Sequence, residues 1–382
     1  MESKISFQVS KNELQKHLTK VSKAVRDKAT LPIYTMFLFE LSGKELKLNG
    51  TDTEIQIEST LPILETSGDL SFCVDKSIID ILKTLPEQPL TIEVSVIKVS
   101  DTLNRVEVDI IHSSGNVSIP GEESISYTKM PDVAGATFEI ELMKLKRGLD
   151  KVKKFSYGST DKPGVNVVYF DIQPESLTFA ATDGLIVSRF VDSSININDI
   201  ENFSLRLESA SILSSLVDAL TDGVVKVAAN PNNVSFEIEE FKLTSRLTEA
   251  KFVNYKGIFS NKFPTQLKAE TKLLNNVVNR ILSISSKESC MIRLESGLLL
   301  THLSTKNELL NKSATDSINC ECTGEIIIGL HGKRLLEMIG LIDDPVTIIS
   351  FSDSSKHILV TPENQIEGCT HEMLIMAMLL PN

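Results

Sequence analysis

Between Ser10 and Lys28 the apolar residues Leu14, Leu18, Val21 and Val25 recur every three or four positions, the period of one face of an α-helix. Lys16, Lys20 and Lys23 fall on another face. The same two-sided pattern returns twice. Leu142, Leu145, Leu149 and Val152 form an apolar stripe, with Lys144, Arg147, Lys151 and Lys154 along the other side. Val277, Val278, Ile281 and Leu282 form the third stripe, with Lys272 and Arg280 elsewhere on that helix. Less basic stretches lie between them. In all, six amphipathic stretches begin near Lys11, Lys76, Glu141, Glu208, Glu270 and Gly332, at steps of 65, 65, 67, 62 and 62 residues.

A matching turn and strand follows every second stretch: Leu85-Pro86-Glu87-Gln88-Pro89-Leu90-Thr91-Ile92, then Leu220-Thr221-Asp222-Gly223-Val224-Val225-Lys226-Val227, then Leu341-Ile342-Asp343-Asp344-Pro345-Val346-Thr347-Ile348. A repeat of about 125 residues is too long for a solenoid unit and suits a domain. Between the helices, runs rich in β-branched and apolar residues predict strands over 31–41, 46–58, 106–111, 165–172, 177–181, 234–238, 291–294 and 325–328. Gly43-Lys44, Pro174-Glu175-Ser176 and Asn230-Pro231-Asn232-Asn233 predict hairpin turns. The expectation is an α+β chain of three repeated domains, each with two helices on antiparallel sheet. The boundaries are set at 1–130, 131–262 and 263–382, with linkers at 121–131 and 260–264.

Composition is that of an ordinary globular chain, 41% hydrophobic and 24% charged over 382 residues. No apolar run reaches the roughly 18 residues of a membrane span, so no membrane partner is expected. The opening Met1-Glu2-Ser3-Lys4-Ile5-Ser6-Phe7 alternates like a strand, and five Cys without framework spacing read as reduced thiols, so a cytoplasmic location is expected. Net charge is −12, which by itself argues against nucleic acid. Its distribution argues the reverse. Residues 11–28 carry net +4, 141–154 net +4 and 268–287 net +3, which leaves −23 on the rest. Positive charge is thus gathered on the first helix of each repeat.

Five segments in order resemble the β sliding clamp family of bacterial DNA polymerase III: Thr30-Leu31-Pro32-Ile33, Asn49-Gly50-Thr51-Asp52-Thr53-Glu54, Ala181-Thr182-Asp183-Gly184, Phe252-Val253-Asn254-Tyr255-Lys256-Gly257-Ile258-Phe259, and the tail Ile375-Met376-Ala377-Met378-Leu379. The resemblance covers the whole length. It implies a head-to-tail homodimer closing a ring of six domains, with helices inside and sheets outside, around double-stranded DNA held without sequence preference. DNA contact then falls to Lys16, Lys20, Lys23, Lys28, Lys144, Arg147, Lys151, Lys154, Lys272 and Arg280. The implied dimer interface uses Ile78, Ile81 and Leu85 against Ile281 and Leu282. An outer groove for short apolar peptides would comprise Val165, Thr182, Gly184, Leu185, Ile186, Val187, Val253, Ile258, Met376 and Met378. The implied partners are the polymerase III catalytic subunit, the clamp loader and other proteins bearing clamp-binding peptides. The sequence departs from the family at Leu185-Ile186, where His-Arg is common, and at Val253, Gly257 and Ala377. These changes predict a more apolar groove with less preference for acidic flanks, as in a divergent paralogue.

Other chemistry is weaker. Cys320-x-Cys322 and Cys369-x-His371 have zinc-ligand types without the two- to four-residue spacers of structural zinc, so no metal or cofactor is expected. Gly329-Leu330-His331-Gly332-Lys333-Arg334 lacks P-loop spacing. Asp52 and Asp183 occupy equivalent Thr-Asp turns. A catalytic carboxylate pair is one reading of them; local satisfaction of backbone N–H groups is the simpler one, and the chain is read as no enzyme. A domain-repeat adaptor that never encircles DNA is the remaining alternative.

Overall fold

Ser10 ends the first strand and caps the first helix, its hydroxyl accepting from the Glu13 N–H at 3.3 Å. The computed structural model describes residues 2–98, 104–156, 158, 164–198, 200–307, 309–352 and 357–380. Seven α-helices lie among them: α1 Lys11–Val21, α2 Ile78–Thr84, α3 Leu142–Val152, α4 Leu207–Val217, α5 Lys256–Phe259, α6 Thr271–Leu282 and α7 Gly332–Ile339. All except the short α5 are helices that the hydrophobic period predicts, and their starts agree within two residues. Five of these six follow a strand directly, and two residues separate α2 from the strand Leu70–Asp75.

Two expected strands are cut by local chemistry. Pro32 has no N–H to give a ladder, so Pro32–Thr35 turns as a 3-10 helix and the strand runs Met36–Ser42. The 46–58 run divides into Glu45–Thr51 and Ile55–Pro62 around the Asp52 turn, where Thr53 takes a φ of 76°. The expected linker at 121–131 begins inside the strand Gly115–Glu123.

The chain divides into two compact units, Met1–Met143 with Ser211–Leu247 and Lys144–Ala210 with Thr248–Asn382. The first holds a 13-stranded antiparallel sheet, in which Phe241–Arg246 pairs with Ile55–Pro62, so the middle repeat's strands continue those of the first. The second holds a nine-stranded and a four-stranded sheet. There Ile186–Asp192 pairs with Cys369–Met376, Ile186 opposite Ile375, so the middle repeat's other strands continue those of the third. Compactness therefore follows sheet continuity, while the helices keep the threefold repeat.

In the second unit Leu274, Val277, Val278 and Ile281 of α6 and Leu335, Met338 and Ile339 of α7 pack with Leu267, Ile292, Ile349 and Phe351 in one buried cluster. Helix α3 comes close to its sheet through Gly148. A Cβ there would lie 2.3 Å from the buried Phe179 ring, so only glycine lets the helix seat.

Candidate nucleic-acid interface and peptide groove

On α1 the apolar stripe Leu14, Leu18 and Val21 is buried, which turns the intervening lysines outward. Lys16 pairs with Glu240 at 2.9 Å, and Lys20 lies 4.3 Å from the centre of the Phe241 ring. Lys23 and Lys28 are exposed. Buried His17 stacks on Phe241 at 5.0 Å and hydrogen-bonds the Ser59 hydroxyl, fixing the helix to the sheet below. In the second unit Lys154 and Lys272 are exposed, and Arg280 is exposed while pairing with Asp316 at 2.7 Å. Lys144 is half-buried. Arg147 is also half-buried and lies close enough to Cys369 to oppose the rise that burial imposes on that thiol.

Lys151 is a correction. The helical period aligns it with Arg147 and Lys154, yet it is only 8% exposed, with its ammonium on the Leu341 carbonyl and, at 2.7 Å, on Asp343. It braces α3 against the turn after α7 and presents no free charge to a phosphate. Beside it is His371, 3% exposed, with its N–H on Gln365 at 2.8 Å and its ring 3.5 Å from the Ser188 hydroxyl. Burial, helped by Lys151, pushes the His371 pKa down from 6.5 to about 3. The unfolded chain then binds the extra proton first, so stability is full above about pH 6.5 and falls as pH drops towards 3, by at most about 1.4 kcal/mol per pH unit. Burial lowers His17 and His331 in the same sense. His371→Gln should flatten the decline of the thermal midpoint between neutral pH and about pH 5; an unchanged slope would remove His371 as its source.

The two equivalent Thr-Asp turns are built alike. Asp52 Oδ1 accepts from the N–H of Glu54 and Ile55, and Asp183 Oδ1 from those of Leu185 and Ile186. Each outer oxygen meets an arginine: Arg26 at 2.8 Å for Asp52, Arg334 at 2.8 Å for Asp183. Both carboxylates are thus committed to turn architecture.

The groove residues belong to one unit, and the structure sorts them. Paired residues in a ladder share a face, and faces alternate along each strand. Ile186 and Ile375 are opposite one another and enter the buried core, so Ile186 does not line a groove. Thr182 is also buried, its hydroxyl donating to the Ile186 carbonyl at 2.6 Å. Val187 and Leu374 are paired on the other face, and Leu185 and Met376, 55% and 57% exposed, extend that face. Gly184 is exposed with a φ of 89°, while Val165, Ile258 and Met378 are half-buried and Val253 is exposed.

The segment 252–259 is pinned at three points. Phe252 stacks on Tyr169 at 4.8 Å, and Arg189 lies 4.1 Å from the Phe259 ring while pairing with Glu372 at 2.6 Å. Tyr255 donates to Asp171 at 2.7 Å, and Lys256 joins the same oxygen at 2.7 Å. Burial opposes ionisation of Asp171, but hydrogen bonds from Lys256 and Tyr255 hold its pKa below the ordinary value. Sequence reasoning misses Asp171 and Arg189. The one signal is an acid inside the apolar run Val167-Val168-Tyr169-Phe170-Asp171-Ile172.

Of the expected interface residues, Ile78 and Ile281 are buried in their own cores. Ile81, Leu85 and Leu282 keep partly exposed side chains.

Comparisons with known proteins converge. Residues 5–120 match the family model described as DNA polymerase III beta subunit, N-terminal domain. The beta sliding clamp of Pseudomonas aeruginosa is 24% identical over 362 residues, covering 93% of this chain and 95% of that protein. That of Haemophilus influenzae is 23% identical over 386 residues, covering 98% and 100%. The crystal structure of a Thermotoga maritima DNA polymerase III beta subunit superposes with a TM-score of 0.88 at 21% identity, covering 99% of this chain and 100% of that one. A Bartonella birtlesii sliding clamp bound to griselimycin gives 0.90 at 19% identity over 99% and 100%.

Proposed function

We propose that the chain is a member of the DNA polymerase III beta subunit family, a DNA sliding clamp, and that it closes head to tail with a second copy around duplex DNA. The gathering of positive charge on and beside the first helix of each of three repeats, in a chain of net charge −12, carries the encircling reading. Basic side chains attract phosphates without reading bases, and a closed ring needs only that weak contact to slide. An acidic remainder discourages DNA elsewhere. The three repeats, divided near residues 130 and 262, are the domains of this reading. Retention on nicked circular duplex and loss after linearisation is the test; equal loss from both would favour an adaptor that does not encircle DNA.

As a processivity factor the protein performs no catalysis. It tethers a polymerase III catalytic subunit and other partners, and it needs a clamp loader to open the ring in the cytoplasm. Partners dock by short peptides with Leu or Phe anchors. Support comes from the apolar surface that Leu185, Val187, Met376 and Met378 offer, together with Val253 of the pinned segment 252–259. Methionine adapts to differing anchors. Apolar burial at about 25 cal/mol per Å², less the cost of ordering the peptide, predicts micromolar affinity. The cut that tests the tail falls after Ile375, because Met373, Leu374 and Ile375 are core residues. A labelled peptide ending in Leu-Phe should bind the truncated chain about tenfold more weakly in fluorescence anisotropy. Equal affinity would exclude the tail, and no binding by either chain would exclude the groove.

A further inference from the structure

We infer that the strand-to-helix segment Gly329–Arg334 is a clasp that sets the width of the peptide groove, holding the C-terminal tail at one end and the Leu185 turn at the other. The inference rests on the groove reading above. Gly329 sits inside the strand Ile326–His331, where a glycine signals close approach by another backbone. That backbone is the tail. The Met378 N–H donates to the Gly329 carbonyl at 2.9 Å, as an isolated antiparallel bridge. A Cβ at position 329 would lie 2.5 Å from the Met378 carbonyl oxygen and 3.2 Å from the Leu380 side chain. Both neighbours belong to the tail, so any side chain at 329 lifts the tail off the strand. Met378 then loses the contact that fixes it beside the groove.

Five residues on, Arg334 of α7 reaches the other side. Its Nη2 is 2.8 Å from Asp183 Oδ2, an ion pair off line for a hydrogen bond, and its Nη1 is held by Glu337 at 2.8 Å. Asp183 in turn fixes the Leu185 and Ile186 N–H groups, so Arg334 positions the turn that displays Leu185. Charge rather than fork geometry holds this pair, so lysine should replace arginine there. The tail and the turn are far apart in sequence and meet the same short segment; the segment fixes their separation.

The test uses full-length dimer and the chain ending at Ile375, with the labelled Leu-Phe peptide and amide exchange. Gly329→Ala should weaken binding by the full-length protein to the level of the truncated chain. It should leave the truncated chain's affinity unchanged, because no tail remains to displace. Met378 amide protection should be lost in Gly329→Ala. Arg334→Ala should weaken binding severalfold in both backgrounds, and Arg334→Lys should restore it. Unchanged affinity and protection in Gly329→Ala, or equal weakening with and without the tail, would overturn the clasp. If the parent protein itself failed to bind the peptide, the groove reading would fall, and Met378 protection would still decide whether Gly329 holds the tail.

Discussion

An Ile81→Lys protein should sediment as a monomer at concentrations where the parent is a dimer, and it should fall from circular duplex as fast as from linear. Helix α2 has two apolar sides. Ile78, Ile79 and Leu82 are buried in the domain's own core. Ile81 and Leu85 are half-buried on the remaining surface, and Leu282 on α6 is likewise half-buried beside the buried Ile281. Side chains of this kind, apolar and left partly open within one chain, are what a second copy can cover. A lysine in that contact would be buried without a partner, at about 3 kcal/mol or more per interface, over a hundredfold in affinity. A closed ring has two such interfaces, so the effect doubles. Ile78→Ala supplies the contrast: it should lower the thermal midpoint through a core cavity worth about 2–5 kcal/mol while leaving the dimer intact. An Ile81→Lys protein that remained dimeric at submicromolar concentration would remove α2 from the interface.

The difference between Ile78 and Ile81 shows where sequence reading stops. Hydrophobic period locates six helices because each buries one stripe, and the stripe is written at i, i+3, i+4 and i+7 whatever the partner is. Period does not say whether the partner is the helix's own sheet or another chain. Ile281 and Leu282 are adjacent, apolar and equivalent to any scale, and only the packing of α6 on Leu267 and Ile292 buries the first and leaves the second half open. Lys151 fails for the same reason. The helical period aligns it with Arg147 and Lys154, but the Leu341 carbonyl and Asp343 that capture it are about 190 residues away, and nothing local announces them.

The sheets were legible as strands and not as pairings. The match of Phe241 with Ser59, or of Ile186 with Ile375, joins segments far apart in the chain, and each strand of a pair carries only its own alternation. The two compact units therefore could not be read from the repeat. Of the proposed groove, Leu185, Val253 and Met376 are apolar in the sequence and exposed in the structure. Its supports, Asp171, Arg189 and Gly329, look like faults in a strand until the segments that use them are in place.

Alanine at Lys23, Lys28, Lys154 and Lys272 together should shorten the residence of the loaded protein on circular duplex and flatten its dependence on salt. All four are exposed and lie on or just beyond the first helices of the three repeats. Their contribution is the release of counterions from phosphates, so each contact removed lowers the slope of log affinity against log salt by about 0.9, and four lower it by about 3 to 4. Lys16 and Arg280 already face carboxylates at 2.9 and 2.7 Å, so each offers the duplex a partly neutralised charge and a smaller share of the slope. Lys151→Ala gives the sharpest comparison. It sits on the same face of α3 by sequence, yet its charge is spent on Asp343, so the slope should be unaltered while the thermal midpoint falls from the loss of the brace between α3 and the turn at Leu341. Residence and stability would then separate along one helix. A fourfold-substituted protein with the parent's salt slope would show that the duplex passes without touching these lysines, and the charge on the first helices would need another account.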